Sequence, residues 1–243
     1  MPRVKELDSA TLEQRVYDQL RNRMIEGLLR PGTRIPEARL AAELGVSRAT
    51  VRAALRQLVR EGLVVWPARR SPIVRQLTPS EIEEIYEVRE LLEGRAASRL
   101  ATLTPSKRTQ ALRTLKRAFD QLQSSHSESK TIRIREELHF HETMCSLSGN
   151  LLLLQTWRGL RSHIEMMLHV VPEPIFRLLD EGGHLEILAA LESGNPDEAS
   201  RIVASHFSGG AELIASYVGV ATGSTGAPTG RTLTPTLRRA AHS

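Results

Sequence analysis

A glycine and a serine close together, Gly45 and Ser47, constrain this chain more than any other feature. Before them, Glu37 to Leu44 reads as a short helix, and Gly45 suits the left-handed backbone that ends one. After them, Ser47 is a helix-capping residue, and a second helical pattern runs to about Glu61 with Gly62 as its stop. A longer helix comes first, with apolar side chains at Leu12, Val16, Leu20, Met24 and Ile25, ending near Gly27 before the turn at Arg30-Pro31-Gly32. Leu63-Val64-Val65-Trp66 and Ile73-Val74 flank the segment Pro67 to Pro72 and read as a short β-hairpin with a basic tip. Two short helices, a tight turn and a hairpin predict a winged helix-turn-helix over residues 10–77.

Past Thr78-Pro79-Ser80 the texture changes. Long helical patterns follow at 81–102, 105–124, 130–148, 151–170, 174–193 and 196–218, divided by Pro, Gly or Ser clusters. The expected fold is mainly α, a winged helix-turn-helix followed over 78–218 by an all-helical bundle of about six helices. From Gly219 the chain is rich in Gly, Thr, Pro and Ala, too poor in apolar matter to pack, so 219–243 is expected as a disordered tail.

Charge divides along the same line. Residues 11–75 carry 13 Lys/Arg against 6 Asp/Glu, while 76–218 carry 15 against 20. A basic unit that precedes an acidic one points to a polyanion as the first unit's partner. Within it, Val51, Ala54, Leu55 and Leu58 share one helical stripe and should face inward, whereas Arg48, Arg52 and Arg56 share another. A helix of this kind enters the major groove N-terminus first, which brings Ser47, Arg48, Thr50 and Arg52 to double-stranded DNA. Arginine forks onto guanine O6/N7, and hydroxyls hold phosphate. Arg34, just before the first helix of the pair, and Arg69 and Arg70 at the wing tip complete the expected DNA-binding set. Few aromatics interleave these charges, which argues against a platform for stacking single strands.

The quoted residues resemble the GntR family of regulators. The likeness lies in Pro31-Gly32-Thr33-Arg34-Ile35-Pro36, Leu40-Ala41-Ala42-Glu43-Leu44-Gly45-Val46-Ser47-Arg48, Val51-Arg52-Ala53-Ala54-Leu55 and Glu61-Gly62-Leu63-Val64. The resemblance implies a cytoplasmic homodimeric transcriptional regulator, a repressor by default, that reads a palindromic operator, with Arg34, Arg48 and Arg52 as its principal DNA contacts. One departure is Ser71-Pro72 at the wing tip, where the family has glycine after the basic residue.

In the helical half, Glu137 and His141 lie four apart on one helix, His184 opens a later helix, and His206 lies in the final one. One carboxylate and three imidazoles form a credible ligand set for a divalent ion, zinc or else nickel or manganese. This half resembles the FadR subfamily and its FCD-type ligand-binding domain, through Ile85 to Glu93, Phe140-His141, Ser148-Gly149-Asn150, His184, Gly194 to Ala199 and His206. The resemblance implies that Glu137, His141, His184 and His206 hold the metal, with Glu137 where the family has aspartate, and that a small organic acid binds beside it. Arg89 is the candidate partner for the acid's carboxylate, with an ion pair to Glu93 as its equal alternative. His139 and His163 fall off the pattern and read as imidazoles at the surface or behind the ligands, and Cys145 as a buried structural thiol.

Two other functions remain open on these residues. His141, His184 and His206 are also the ligands of a metal-dependent hydrolase, a reading that leaves the winged unit unexplained. Alternatively the ion is structural and the regulator has no effector. A single cysteine rules out a disulfide within the chain and fits a reducing cytoplasm; Met1 to Ser9 lacks the apolar core of a signal peptide, and Leu151 to Leu154 is too short to span a membrane.

Overall fold

A computed structural model of the chain describes residues 4–180 and 183–222. The N-terminal unit is built on three helices, α1 (Val4–Ile25), α2 (Glu37–Leu44) and α3 (Arg48–Arg60). Helices α1 and α2 both pack against α3, burying Val16, Leu20, Met24 and Leu40 on its inner stripe of Val51, Ala54, Leu55 and Leu58. Helix α2 ends as the sequence predicts: Gly45 has φ 65°, and the Gly45 and Val46 amides reach back to the Ala42 and Ala41 carbonyls at 3.3 and 3.0 Å. Ser47 then caps α3, its hydroxyl accepting from the Thr50 amide at 3.1 Å.

The wing is smaller than the apolar runs suggest. Strands β1 (Val64–Val65) and β2 (Ile73–Val74) pair antiparallel, Val64 opposite Val74. Arg34 adds a single bridge to Ile73, so the segment before α2 is stitched to the wing. Trp66 lies beyond the paired residues.

The second unit starts at α4 (Pro79–Ala101), which a reciprocal capping box opens: the Thr78 hydroxyl accepts from the Glu81 amide at 3.2 Å, and Glu81 accepts from the Thr78 amide at 2.8 Å. Helices α5 (Pro105–Ser124), α6 (Lys130–Leu147), α7 (Leu151–Val170), α8 (Glu173–Asp180), α9 (His184–Ser193) and α10 (Pro196–Thr222) follow. Helices α4 and α10 make the largest helix–helix contact, and Trp157, Phe140 and Phe176 fill the space around them. The helical pattern over 174–193 is therefore two helices rather than one; Gly183, with φ 91°, precedes the second and allows the chain to change direction there. Helix α10 continues to Thr222, past the expected boundary at 218, and the rest of the expected disordered tail lies outside the described residues. No helix among the described residues is long and apolar enough to cross a membrane.

The two units touch through α1 and α7. Arg21 pairs with Glu165 at 2.6 Å and donates to the Ser162 hydroxyl at 3.3 Å. His163 lies directly against Gly62, the residue after the α3 cap.

Candidate nucleic-acid interface and metal centre

The inner stripe of α3 fixes which side of the helix meets solvent. Arg48, Arg52 and Arg56 all lie on the exposed side, as do Arg34, Ser47, Arg69 and Arg70, while Thr50 is half-buried. The Ser47 and Thr50 hydroxyls are 2.9 Å apart, so both are partly engaged with each other at the helix start. Arg52 is held rather than free. Its Nε donates to Glu37 Oε2 at 2.5 Å, and its guanidinium lies over Trp66, 5.9 Å from the ring centroid. The Glu37 contact raises the Arg52 pKa. Its side chain still keeps 56% of its exposure, so the pairing does not bury it. At the wing tip Arg69 takes φ 59°, a left-handed conformation that L-residues rarely adopt, two residues before Ser71.

The second site is buried. Helix α6 supplies Glu137 and His141 one turn apart, His184 is the first residue of α9, and His206 comes from α10. One potential ligand atom from each of the four lies within 4.8 Å of all the others. His141 and His184 are 0% and 2% exposed, and Glu137 is 9% exposed. His141 Nε2 faces Glu137 Oε1 at 3.0 Å, and His184 Nε2 approaches Glu137 Oε2 at 3.0 Å. That second contact has the distance of an ion pair without the alignment of a hydrogen bond, which leaves both atoms buried and unsatisfied.

Electrostatics separate the cluster's members. Burial disfavours charge on Glu137, but His184 and His141 outweigh it and hold the carboxyl well below its usual range. Burial also works against a charged His141, yet Glu93 and Glu137 lift it to about 9. His206 goes the other way: burial, then the His184 and His141 charges, push it down to about 3. The donor set thus combines an ionised carboxylate, a neutral imidazole and unsatisfied buried atoms, which fits a divalent cation. Glu137 brings a carboxylate oxygen within 4.8 Å of a nitrogen of each of the three histidines.

Behind the cluster stands Glu93, which no sequence pattern places beside the candidate metal ligands. It is fully buried, lies 2.6 Å from His141 Nδ1, and accepts from Trp157 Nε1 at 2.9 Å and Arg89 Nε at 3.0 Å. Burial opposes its charge, but His141 and Arg89 hold its pKa at about 2. A carboxylate on the far nitrogen of a ligating histidine fixes the tautomer that leaves the near nitrogen bare. Glu93 and His141 are 48 positions apart in sequence, too far for any local pattern to join them.

Arg89 makes the ion pair that was its alternative, yet its capacity is not used up. The residue is 2% exposed, with its guanidinium 4.2 Å above the Phe207 ring, and Nη2 is buried with no hydrogen-bond partner among the described residues. It lines a cavity of about 30 Å³ with Tyr86, Glu137, Phe176, His206 and Phe207. His139 is exposed, and Cys145 is buried, its thiol pushed up by burial. His163 is not a plain surface residue: it is half-buried at the junction of the two units.

Comparisons with known proteins agree with this division. Residues 12–74 match the family of bacterial regulatory proteins called gntR, and residues 84–209 match the FCD domain. The Nta operon transcriptional regulator of Aminobacter aminovorans is 31% identical over 73% of this chain and 82% of its own length. The gluconate operon transcriptional repressor of Bacillus subtilis (strain 168) is 31% identical over 66% of this chain and 65% of its own. A solved GntR regulator from Rhodococcus sp. RHA1 superposes with a TM-score of 0.67 at 26% identity, covering 83% of this chain and 96% of that one. These matches set the hydrolase reading aside, because the family consists of regulators rather than enzymes. A basic winged helix joined to a helical FCD domain makes this chain a member of the GntR family, a DNA-binding transcriptional regulator of the FadR type.

Proposed function

We propose that this regulator is a homodimeric repressor whose hold on a palindromic operator is set by a small organic acid bound beside a metal ion. Residues 10–77 form its DNA-binding unit, with Arg34, Ser47, Arg48, Thr50, Arg52, Arg69 and Arg70 at the duplex, and residues 78–218 its effector and dimerisation unit. Glu137, His141, His184 and His206 hold the ion, zinc in the first instance. When bound, the ion supplies a Lewis-acidic centre for a carboxylate oxygen. Arg89 supplies the second charge for that carboxylate.

The observation that carries this reading is the meeting of two unsatisfied groups beside one small cavity. Among the described residues Arg89 Nη2 has no hydrogen-bond partner, and it borders the same cavity as His206 and as Glu137, whose Oε2 is also unsatisfied. A buried unpaired donor is costly, and an anionic ligand is the natural means of satisfying it. The Bacillus subtilis relative is a gluconate operon repressor, which supports both the repressor and the acid.

The test has two parts. Purified protein should bind DNA beside its own gene more tightly than random DNA, and Arg48→Ala should abolish the difference; no preference in the wild type would overturn the operator reading. One member of a panel of short organic acids should change that affinity, and Arg89→Met should remove the response while metal content stays. The cavity favours a second reading, because about 30 Å³ accommodates a water but no acid of several carbons until Phe176 and Leu179 withdraw. Affinity indifferent to every acid in the panel would assign the ion a structural role.

A further inference from the structure

Arg52 differs from its neighbours on α3 in how it is held. Arg48, one turn earlier, has no side-chain partner among the described residues, and Arg56, one turn later, donates only to the Arg52 carbonyl. Arg52 is gripped from two sides by two other elements: Glu37 from the first turn of α2 and Trp66 from the residue after β1. The Glu37 side chain is 20% exposed and that of Arg52 56%, so the carboxylate sits behind and the guanidinium in front. The positive end of α2 favours the charge on Glu37. An ion pair this exposed does little for folding stability, so its effect is to be sought in the arginine's geometry.

The geometry is selective about which donors it uses. Glu37 takes Nε, and neither Nη group has a partner among the described residues. Trp66 limits the swing of the guanidinium plane. What remains free is the pair of donors that matches guanine O6 and N7. We infer that Glu37 and Trp66 are specificity-determining residues, which brace Arg52 so that its Nη groups address one guanine while the bracing side chains themselves touch no base. This rests on the base-reading role given to Arg52 above. Because Glu37 is also an anion close to the phosphates, its loss strengthens the general grip on DNA as it weakens the choice of base.

The experiment uses the full chain and duplexes that the wild type selects from a randomised pool. Arg52→Ala identifies the base pair that Arg52 reads, as the position where preference disappears. At that pair Glu37→Gln should lower the preference about tenfold, with other positions unchanged and affinity for random duplex raised. Glu37→Asp keeps the charge but withdraws it by one methylene, and should behave like Glu37→Gln. Thermal melting of each variant checks that the fold is intact. If Glu37→Gln tightens binding to every duplex equally and leaves the preference whole, the pair is a simple competitor for Arg52 and the brace is overturned. If Glu37→Asp matches the wild type, charge alone matters and the brace is again overturned. If Arg52→Ala leaves every preference intact, the base-reading role itself fails, a result distinct from the other two.

Discussion

Glu93 is not itself in the proposed ligand set, yet three side chains are arranged around it. Arg89, Trp157 and the far nitrogen of His141 all converge on its two oxygens, and the carboxylate is fully buried. Replacing it with glutamine keeps the volume but lets the His141 ring choose the other tautomer. Glu93→Gln should therefore weaken zinc binding about 10- to 100-fold, measured by competition with a coloured chelator. An unchanged affinity would mean that the carboxylate does not set the ring. A half-buried imidazole makes a prediction about acid. Among the described residues the buried His169 Nε2 has no hydrogen-bond partner, and burial, helped by the nearby Lys130 charge, lowers its pKa from 6.5 to about 4. Below 6.5 the unfolded chain takes up this proton more readily than the native one, so stability drains away as pH falls from 6.5 towards 4. His169→Gln should lose fewer degrees of melting temperature across that window than the wild type; equal losses would exclude His169 as a source of acid sensitivity.

At the scale of elements, Gly62 joins two of them. It holds φ 71°, and a methyl group added there would stand 2.4 Å from His163 Nε2 on α7. Gly62→Ala should cost about 1–2 kcal/mol from the left-handed backbone alone and more from the collision. A thermal double-mutant cycle with His163→Ala should recover the collision and leave the backbone cost; full additivity would show that the imidazole moves aside freely. Sequence announced the glycine as a helix stop but gave no hint of the histidine above it. That contrast recurs through the molecule. The ends of α2 and α3 were legible because Gly45 and Ser47 act on backbone groups within a few residues of themselves. The α3 stripe and the Glu137/His141 pair were legible because a helix brings residues one turn apart together. Glu37 with Arg52 and Glu93 with His141 were not, because their meeting depends on how separate elements pack. The break within 174–193 was passed over because apolar residues on both sides of Gly183 continue in helical phase.

For the whole molecule, the decisive element is α7, since it meets both units. Trp157 reaches inward to Glu93, while Ser162, His163 and Glu165 meet Arg21 and Gly62 of the N-terminal unit. Eight residues of helix separate the first contact from the last, about 12 Å of rigid rod. A ligand that binds only the folded state stabilises everything that unfolds together with its site, by about 2.7 kcal/mol at a hundredfold excess over its Kd. Zinc should therefore raise the melting temperature of the wild type, and the N-terminal unit should share in the rise if the α1–α7 contact joins the two cooperatively. Arg21→Ala combined with Glu165→Ala removes the ion pair of that contact, whose partners lie 144 residues apart in sequence. The expected outcome is two transitions: one, from the helical unit, still rises with zinc and is silenced by His184→Ala, and the other, from the N-terminal unit, no longer responds. A double variant that still melts in a single zinc-responsive step would show that the ion pair is not needed to bind the units together and that the remaining contacts, His163–Gly62 and Arg75–Glu81 among them, suffice. No zinc response even in the wild type would instead count against the metal site itself.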